Sequence, residues 1–220
     1  MLSLVTGANR GIGLALTTAL AKRGPVLATC RARSPALDAL AGVEIVDQAD
    51  LTTDDGLARV VAAVGERPID LLVQNAGLLV WGDQLGQLDV SGIRKQFEVN
   101  ALAPLRLTDA LRARLPKGAK VALITSRMGS IDDNGSGQAY GYRMSKAALN
   151  MAGKSLSVDL RPQGVAVAIL HPGLVKTDMV GGHGQIEPDD AAAGLLARID
   201  ALTLESSGGF WHANGQPLPW

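Results

Sequence analysis

Short apolar runs alternate with longer stretches in which apolar positions recur three and four apart, and the alternation continues from one end of the chain to the other. The short runs predict buried strands: one ending at Val5 and Thr6, then Pro25–Cys30, Val43–Val46, Ile69–Val73, Val121–Ile124, Val165–Leu170 and Gly208–His212. The longer stretches predict helices. These are Ile12–Arg23, Ala36–Ala41, a segment N-capped by Thr52, Ser91–Leu115 with a break or bend near Pro104, Tyr142–Leu160, and Pro188–Leu202. In the third of these, Asp54 and Asp55 occupy the first turn, and Leu57, Val60, Val61 and Val64 follow at helical spacing. Most of the strands are apolar along their whole length, which is the pattern of a sheet covered on both faces. Strand alternating with helix then implies parallel strands joined by right-handed crossovers. We expect one doubly wound α/β domain over residues 1–220, with about seven strands and no linker or repeat.

Composition narrows the function classes. Lys plus Arg and Asp plus Glu number 21 each, so the net charge is zero and there is no electrostatic footprint for nucleic acid or an anionic membrane surface. No apolar stretch approaches the length that spans a bilayer, and the first strand starts too near Met1 for a targeting leader. The single cysteine, Cys30, rules out an internal disulfide framework and fits a reducing compartment. A cytoplasmic protein is the expectation. His171, His183 and His212 are far apart in sequence and lack ligand spacing, so no metal site is expected and each reads as a loop or sheet residue.

The polar and glycine-rich signals fall where the strands end. In a doubly wound sheet those carboxyl ends form one edge, where ligands bind. After strand one comes Thr6-Gly7-Ala8-Asn9-Arg10-Gly11-Ile12-Gly13, after strand two Arg31 and Arg33, after strand three Asp50-Leu51, after strand four Asn75-Ala76-Gly77, after strand five Ser126, and after strand six Pro172-Gly173. In the first of these, Gly7 allows a sharp turn, Gly11 removes bulk where a diphosphate would meet backbone, and Gly13 allows close packing of helix on sheet. The helix N-terminus then offers free N–H groups to an anion. A glycine turn of this kind also serves as plain strand-to-helix punctuation. The spacing, Gly-x-x-x-Gly-x-Gly, resembles that of the short-chain dehydrogenase/reductase family.

A second motif bears on chemistry. In Tyr142-Arg-Met-Ser-Lys146 the phenol and the ammonium lie four apart, on one face of a helix. A fixed positive charge beside a phenol favours the phenolate, so the pair forms a tuned general acid/base. The resemblance to the family extends over the whole chain in the expected order. It implies that Tyr142 protonates the substrate oxygen as hydride arrives, that Ser126 donates to that oxygen, that Lys146 holds the nicotinamide ribose and acidifies Tyr142, and that Asn100 anchors a proton-relaying water. Asn100 read from the residues alone could equally be a structural kink residue. Sixteen positions separate Ser126 from Tyr142, a longer gap than is usual in the family, which makes Ser130 a competing serine. We expect Ser126 because it stands at the strand end, where the backbone is most rigid. The run Tyr140–Asn150 and the Pro219-Trp220 ending most resemble the C-factor-like branch of the family.

By the same resemblance, Pro172-Gly173-x-Val175-x-Thr177 contacts the nicotinamide carboxamide. The cofactor-binding set becomes Gly7, Asn9, Arg10, Gly11, Ile12, Gly13, Arg31, Asp50, Leu51, Asn75, Ala76, Gly77, Tyr142, Lys146, Pro172, Gly173, Val175 and Thr177. No acid occupies the run Thr29–Arg33, where binders of the unphosphorylated cofactor place one, whereas Arg10 and Arg31 can grip a 2′-phosphate. NADP(H) is therefore favoured over NAD(H), although either arginine could also be a solvated loop charge. The connection from Thr177 to Asp189 is short, so the cleft is expected to be open. Leu78, Leu79, Trp81, Met128, Tyr140 and Met179 are its candidate walls.

The expected function is reduction of a carbonyl to an alcohol, or the reverse, by hydride transfer. The partners are a small carbonyl or alcohol compound and further copies of the chain in a homodimer or homotetramer. Two alternatives use the same fold: a dinucleotide-binding sensor without turnover, and a non-redox lyase or epimerase.

Overall fold

Seven strands lie side by side in the order β3-β2-β1-β4-β5-β6-β7, every neighbouring pair parallel, in the computed structural model, which describes residues 1–220. They are β1 Ser3–Thr6, β2 Val26–Thr29, β3 Val43–Val46, β4 Leu71–Gln74, β5 Lys120–Ile124, β6 Ala166–His171 and β7 Phe210–His212. The helices are α1 Gly11–Ala21, α2 Pro35–Asp38, α3 Asp54–Val64, α4 Val90–Phe97, α5 Ala103–Leu111, α6 Tyr140–Asp159 and α7 Pro188–Asp200.

Adjacent strand residues serve opposite faces. Leu4, Leu72, Leu123 and Ile169 belong to one core, with Val60 of α3, Leu107 of α5 and Leu149 of α6. Val5, Val73, Ile124 and Leu170 belong to the other, with Leu16 of α1 and Leu195 of α7. Both faces being dry explains why the strand runs are apolar rather than alternating. The edge strand β7 is shielded by the chain itself. A turn at Asn214-Gly215, with Gly215 at φ +96°, returns the tail so that Leu218 N–H donates to Phe210 O at 2.9 Å.

Two helix starts differ from expectation. Helix α3 is capped by Thr53, whose Oγ1 accepts from Gly56 N at 3.1 Å. Thr52 instead turns its hydroxyl to Asp50 Oδ1 at 2.7 Å. The long helical region is interrupted close to Pro104, as expected: a π-helical segment at Glu98–Leu102, which contains Asn100, lies directly before the first turn of α5. Helix α6 starts at Tyr140, two residues before the expected Tyr142.

Candidate active site

The strand order reverses between β1 and β4, and the crevice of a doubly wound sheet opens at such a reversal. Thr6 and Asn75 fasten its floor. Thr6 Oγ1 accepts from the N–H groups of Asn75 and Ala76, both at 3.0 Å, and Asn75 Nδ2 donates to Thr6 O at 3.0 Å. Gly7 has φ +66°, and a Cβ on it would stand 2.9 Å from Ala76 Cα. A Cβ on Gly13 would come within 2.1 Å of Gly7 O, so only glycine lets α1 start this close to the strand end. Gly11 does not face open space: its missing Cβ makes room for Thr177 Cγ2, at 3.1 Å. No side chain caps the N-terminus of α1, so its first N–H groups remain free to meet an anion.

Above this floor lies a cleft of about 860 Å³. All eighteen residues of the expected cofactor-binding set line it, together with Ser126. Its end beside the glycine turn and β2 is built by cross-loop hydrogen bonds: Asn9 Nδ2 donates to Ala32 O at 3.0 Å, and Ser34 Oγ donates to Asn9 O at 2.7 Å. Three arginines stand there with different commitments. Arg10 pairs with Asp178 at 3.0 Å and Arg33 with Asp38 at 2.7 Å, whereas Arg31 has no ion-pair partner. Hydrogen bonds from Thr52 hold the Asp50 carboxyl below its usual range, and the field of Arg31 adds to this.

At the other end, Ser126, Tyr142 and Lys146 converge. Ser126 leaves β5 as the N-cap of a 3₁₀ turn, Arg127–Gly129, with its Oγ accepting from Met128 N at 3.1 Å. Tyr142 and Lys146 lie in the first two turns of α6, whose start is pinned by the buried Asp83, its Oδ2 accepting from Gly141 N at 2.5 Å. Lys146 Nζ is 5.8 Å from the centre of the Tyr142 ring and donates to Ile124 O at 2.9 Å. Here the electrostatic expectation needs correction. Burial raises the phenol of Tyr142 to about 12, against a smaller lowering by its hydrogen bond with Ser126. Burial likewise lowers the Lys146 ammonium to about 8. Desolvation of both charged forms outweighs the attraction that their spacing suggested.

Asn100 does not line the cleft. It is fully buried in the π-helical segment, with Oδ1 accepting from Leu78 N at 2.7 Å and Nδ2 donating to Leu78 O at 2.8 Å and Ser145 Oγ at 2.9 Å. The side chain thus ties the segment after β4 to α6. Ser130 also lies off the wall, buried, with Oγ accepting from Asp133 N at 3.1 Å. Leu78, Leu79, Trp81, Met128 and Met179 line the cleft as expected, but Tyr140 does not. The short segment after Thr177 doubles back, Lys176 N donating to Ile186 O at 2.9 Å, and Trp81 on the cleft wall is 64% exposed.

His171, which the sequence reading set aside, and Arg127, which it did not single out, belong to this region. His171, on the cleft wall, meets His212 edge to face with 4.9 Å between ring centres, although 41 positions separate them. Arg127 also lines the cleft, and its place directly after Ser126 was the available signal.

Comparison with known proteins agrees with this architecture. The short chain dehydrogenase family pattern matches residues 2–187. The chain is 43% identical over 224 residues to 1-hydroxy-2-glutathionyl-2-methyl-3-butene dehydrogenase of Rhodococcus sp. (strain AD45), covering 99% of this chain and 98% of that protein. It is 47% identical over 155 residues to C-signal of Myxococcus xanthus, covering 70% of this chain and 93% of that protein. Among solved structures, an NADPH-bound carbonyl reductase from chicken fatty liver superposes with a TM-score of 0.91 at 31% identity, over 99% of this chain and 98% of that one. A carbonyl reductase from Pseudomonas aeruginosa PAO1 in complex with NADP superposes with a TM-score of 0.86 at 35% identity, over 100% and 99%. The chain belongs to the short-chain dehydrogenase/reductase family of oxidoreductases.

Proposed function

We propose that this protein is an NADP(H)-dependent oxidoreductase that interconverts a carbonyl compound and its alcohol, with reduction the favoured direction. The observation that carries the reading is the convergence of Ser126, Tyr142 and Lys146 on one end of the cleft whose other end is the glycine turn and the uncapped start of α1. The free N–H groups of α1 suit a diphosphate, and Arg31, without a carboxylate of its own, suits a 2′-phosphate. NADP bound to the Pseudomonas reductase and NADPH bound to the chicken reductase support that choice, with NAD(H) the lesser alternative. The cofactor supplies or accepts the hydride.

The protein's own residues do the rest. Ser126 donates a hydrogen bond to the substrate oxygen and orients it beside the Tyr142 phenol. Tyr142, held protonated by burial, delivers its proton to that oxygen in reduction and takes it back in oxidation. Lys146 holds a ribose hydroxyl and steadies the phenolate, and Asn100 acts from behind by fixing the Leu78 segment and Ser145. Tyr142→Phe keeps the ring packing and removes the proton donor. Turnover of an aldehyde panel with NADPH should fall by about two to four orders of magnitude while dinucleotide binding persists. Near-wild-type turnover in this variant would end the mechanism.

The assembly we propose is a homodimer or homotetramer. Supporting it, Met144, Met151 and Val158 recur seven apart on α6 and stand exposed, with Leu105 of α5 also uncovered. Light scattering that returned a monomer mass would remove this part of the proposal.

A further inference from the structure

Most charged groups on the cleft wall already have an assignment. Arg10 is paired with Asp178, Lys176 with Glu187, Lys146 donates to Ile124 O, and Arg31 is assigned above to the 2′-phosphate. Arg127 is different. It lines the cleft one residue beyond Ser126, in a turn that cannot drift, because Gly129 presses so closely on α6 that a Cβ there would lie 2.7 Å from Lys146 C. Asp133 grips the guanidinium through Nε, which orients the plane, and Nη1 and Nη2 donate to nothing in the protein. The side chain is 57% exposed, so those two groups are open to a ligand.

No second carboxylate pairs with Arg127. Next to Arg127 on the strand ends are His171 and His212, which the positive field of Arg127 helps to hold uncharged. The same cleft is walled by the apolar Leu78, Leu79, Trp81, Met128 and Met179. A half-neutralised, oriented guanidinium at the rim of an apolar pocket, directly beside the proposed oxygen-binding serine, matches a planar anion at one end of an apolar compound.

We propose that Arg127 forms an anion-recognition subsite, so that the preferred substrate is a carbonyl or alcohol compound with an apolar body and a carboxylate, held through Nη1 and Nη2. The chemistry of the reacting group rests on the function proposed above; the existence of the subsite does not.

The test compares 4-carboxybenzaldehyde with its neutral methyl ester, using NADPH, in wild type, Arg127→Gln and Arg127→Lys. The acid-to-ester ratio of kcat/KM should exceed one in wild type, fall about tenfold in Arg127→Gln through KM, and be largely retained in Arg127→Lys. An equal loss on both aldehydes would make Arg127 a loop-ordering partner of Asp133 and overturn the subsite. So would a wild-type preference for the ester. A second arm needs no turnover: calorimetric titration of the NADP⁺-loaded protein with monomethyl terephthalate and with dimethyl terephthalate. Binding of the monoacid that weakens in Arg127→Gln, with neither aldehyde reduced, would keep the subsite and remove the carbonyl-reduction reading. Reduction of both aldehydes, with the acid-to-ester ratio and monoacid binding indifferent to position 127, would do the opposite.

Discussion

Lys146 Nζ stands 5.8 Å from the centre of the Tyr142 ring, but its hydrogen bond goes to the backbone carbonyl of Ile124, at 2.9 Å. The two groups share a helix face and a dry pocket, and dryness governs both. The phenol stays protonated far into the alkaline range, at about 12, while the ammonium loses its proton near 8. On the mechanism proposed above, Tyr142 is therefore in its working form for reduction throughout the neutral range, and Lys146 sets the alkaline limit. The pH profile of kcat/KM for a carbonyl should be flat below about pH 8 and fall above it as Lys146 becomes neutral. In Lys146→Arg, whose charge is permanent, residual activity should lack that fall. A break in wild type that reappears unchanged in Lys146→Arg would assign it to another group.

The two serines are separated by location. Ser126 reaches the cleft and the Tyr142 phenol; Ser130 is buried behind it, accepting from Asp133 N. Ser126→Ala should lower kcat by about a hundredfold, the scale of losing one donor to a developing oxyanion. Ser130→Ala should act mainly on KM or selectivity by loosening the loop that carries Asp133. Steady-state kinetics showing the reverse pattern would move the donor role to Ser130.

On the proposed reading, cofactor choice turns on Arg31. Arg10 and Arg33 are each committed to a carboxylate, so Arg31 is the arginine at this end without one. Wild type should favour NADPH over NADH by kcat/KM, less so at high salt. Arg31→Asp, which sets a carboxylate against the phosphate and offers the ribose an acceptor, should invert the ratio. A wild-type ratio below one, or a ratio that the substitution leaves untouched, would take Arg31 out of the recognition site.

His171 bears on stability in acid. Burial, with the neighbouring His212 and Arg127, lowers it from 6.5 to about 3 in the folded protein. Below pH 6.5 the unfolded chain takes up a proton that folded His171 refuses until about 3, so the unfolded state binds more protons and stability falls as pH falls through that window. Thermal unfolding followed from neutral pH to about pH 4.5 should show a shallower loss in His171→Phe than in wild type. Parallel losses would assign the acid sensitivity elsewhere.

Local pattern by itself determined much of this protein. Short apolar runs bounded by glycine and polar signals and alternating with helical spacing fit parallel strands covered on both faces, so the seven strands and the cleft at their carboxyl ends were legible from residue spacing. Gly7 and Gly13 were legible for a similar reason, since a tight turn and a close helix start each demand the absence of a side chain. What only the tertiary structure decided depends on groups remote in sequence and on how much water reaches them. In the π-helical turn the Asn100 amide meets Leu78 and Ser145, 22 and 45 positions away. His171 and His212 became neighbours through the pairing of β6 with β7. The spacing of Tyr142 and Lys146 put a charge beside a phenol, but the sign of the outcome came from desolvation, which scales with burial by the rest of the chain and has no counterpart in a four-residue motif.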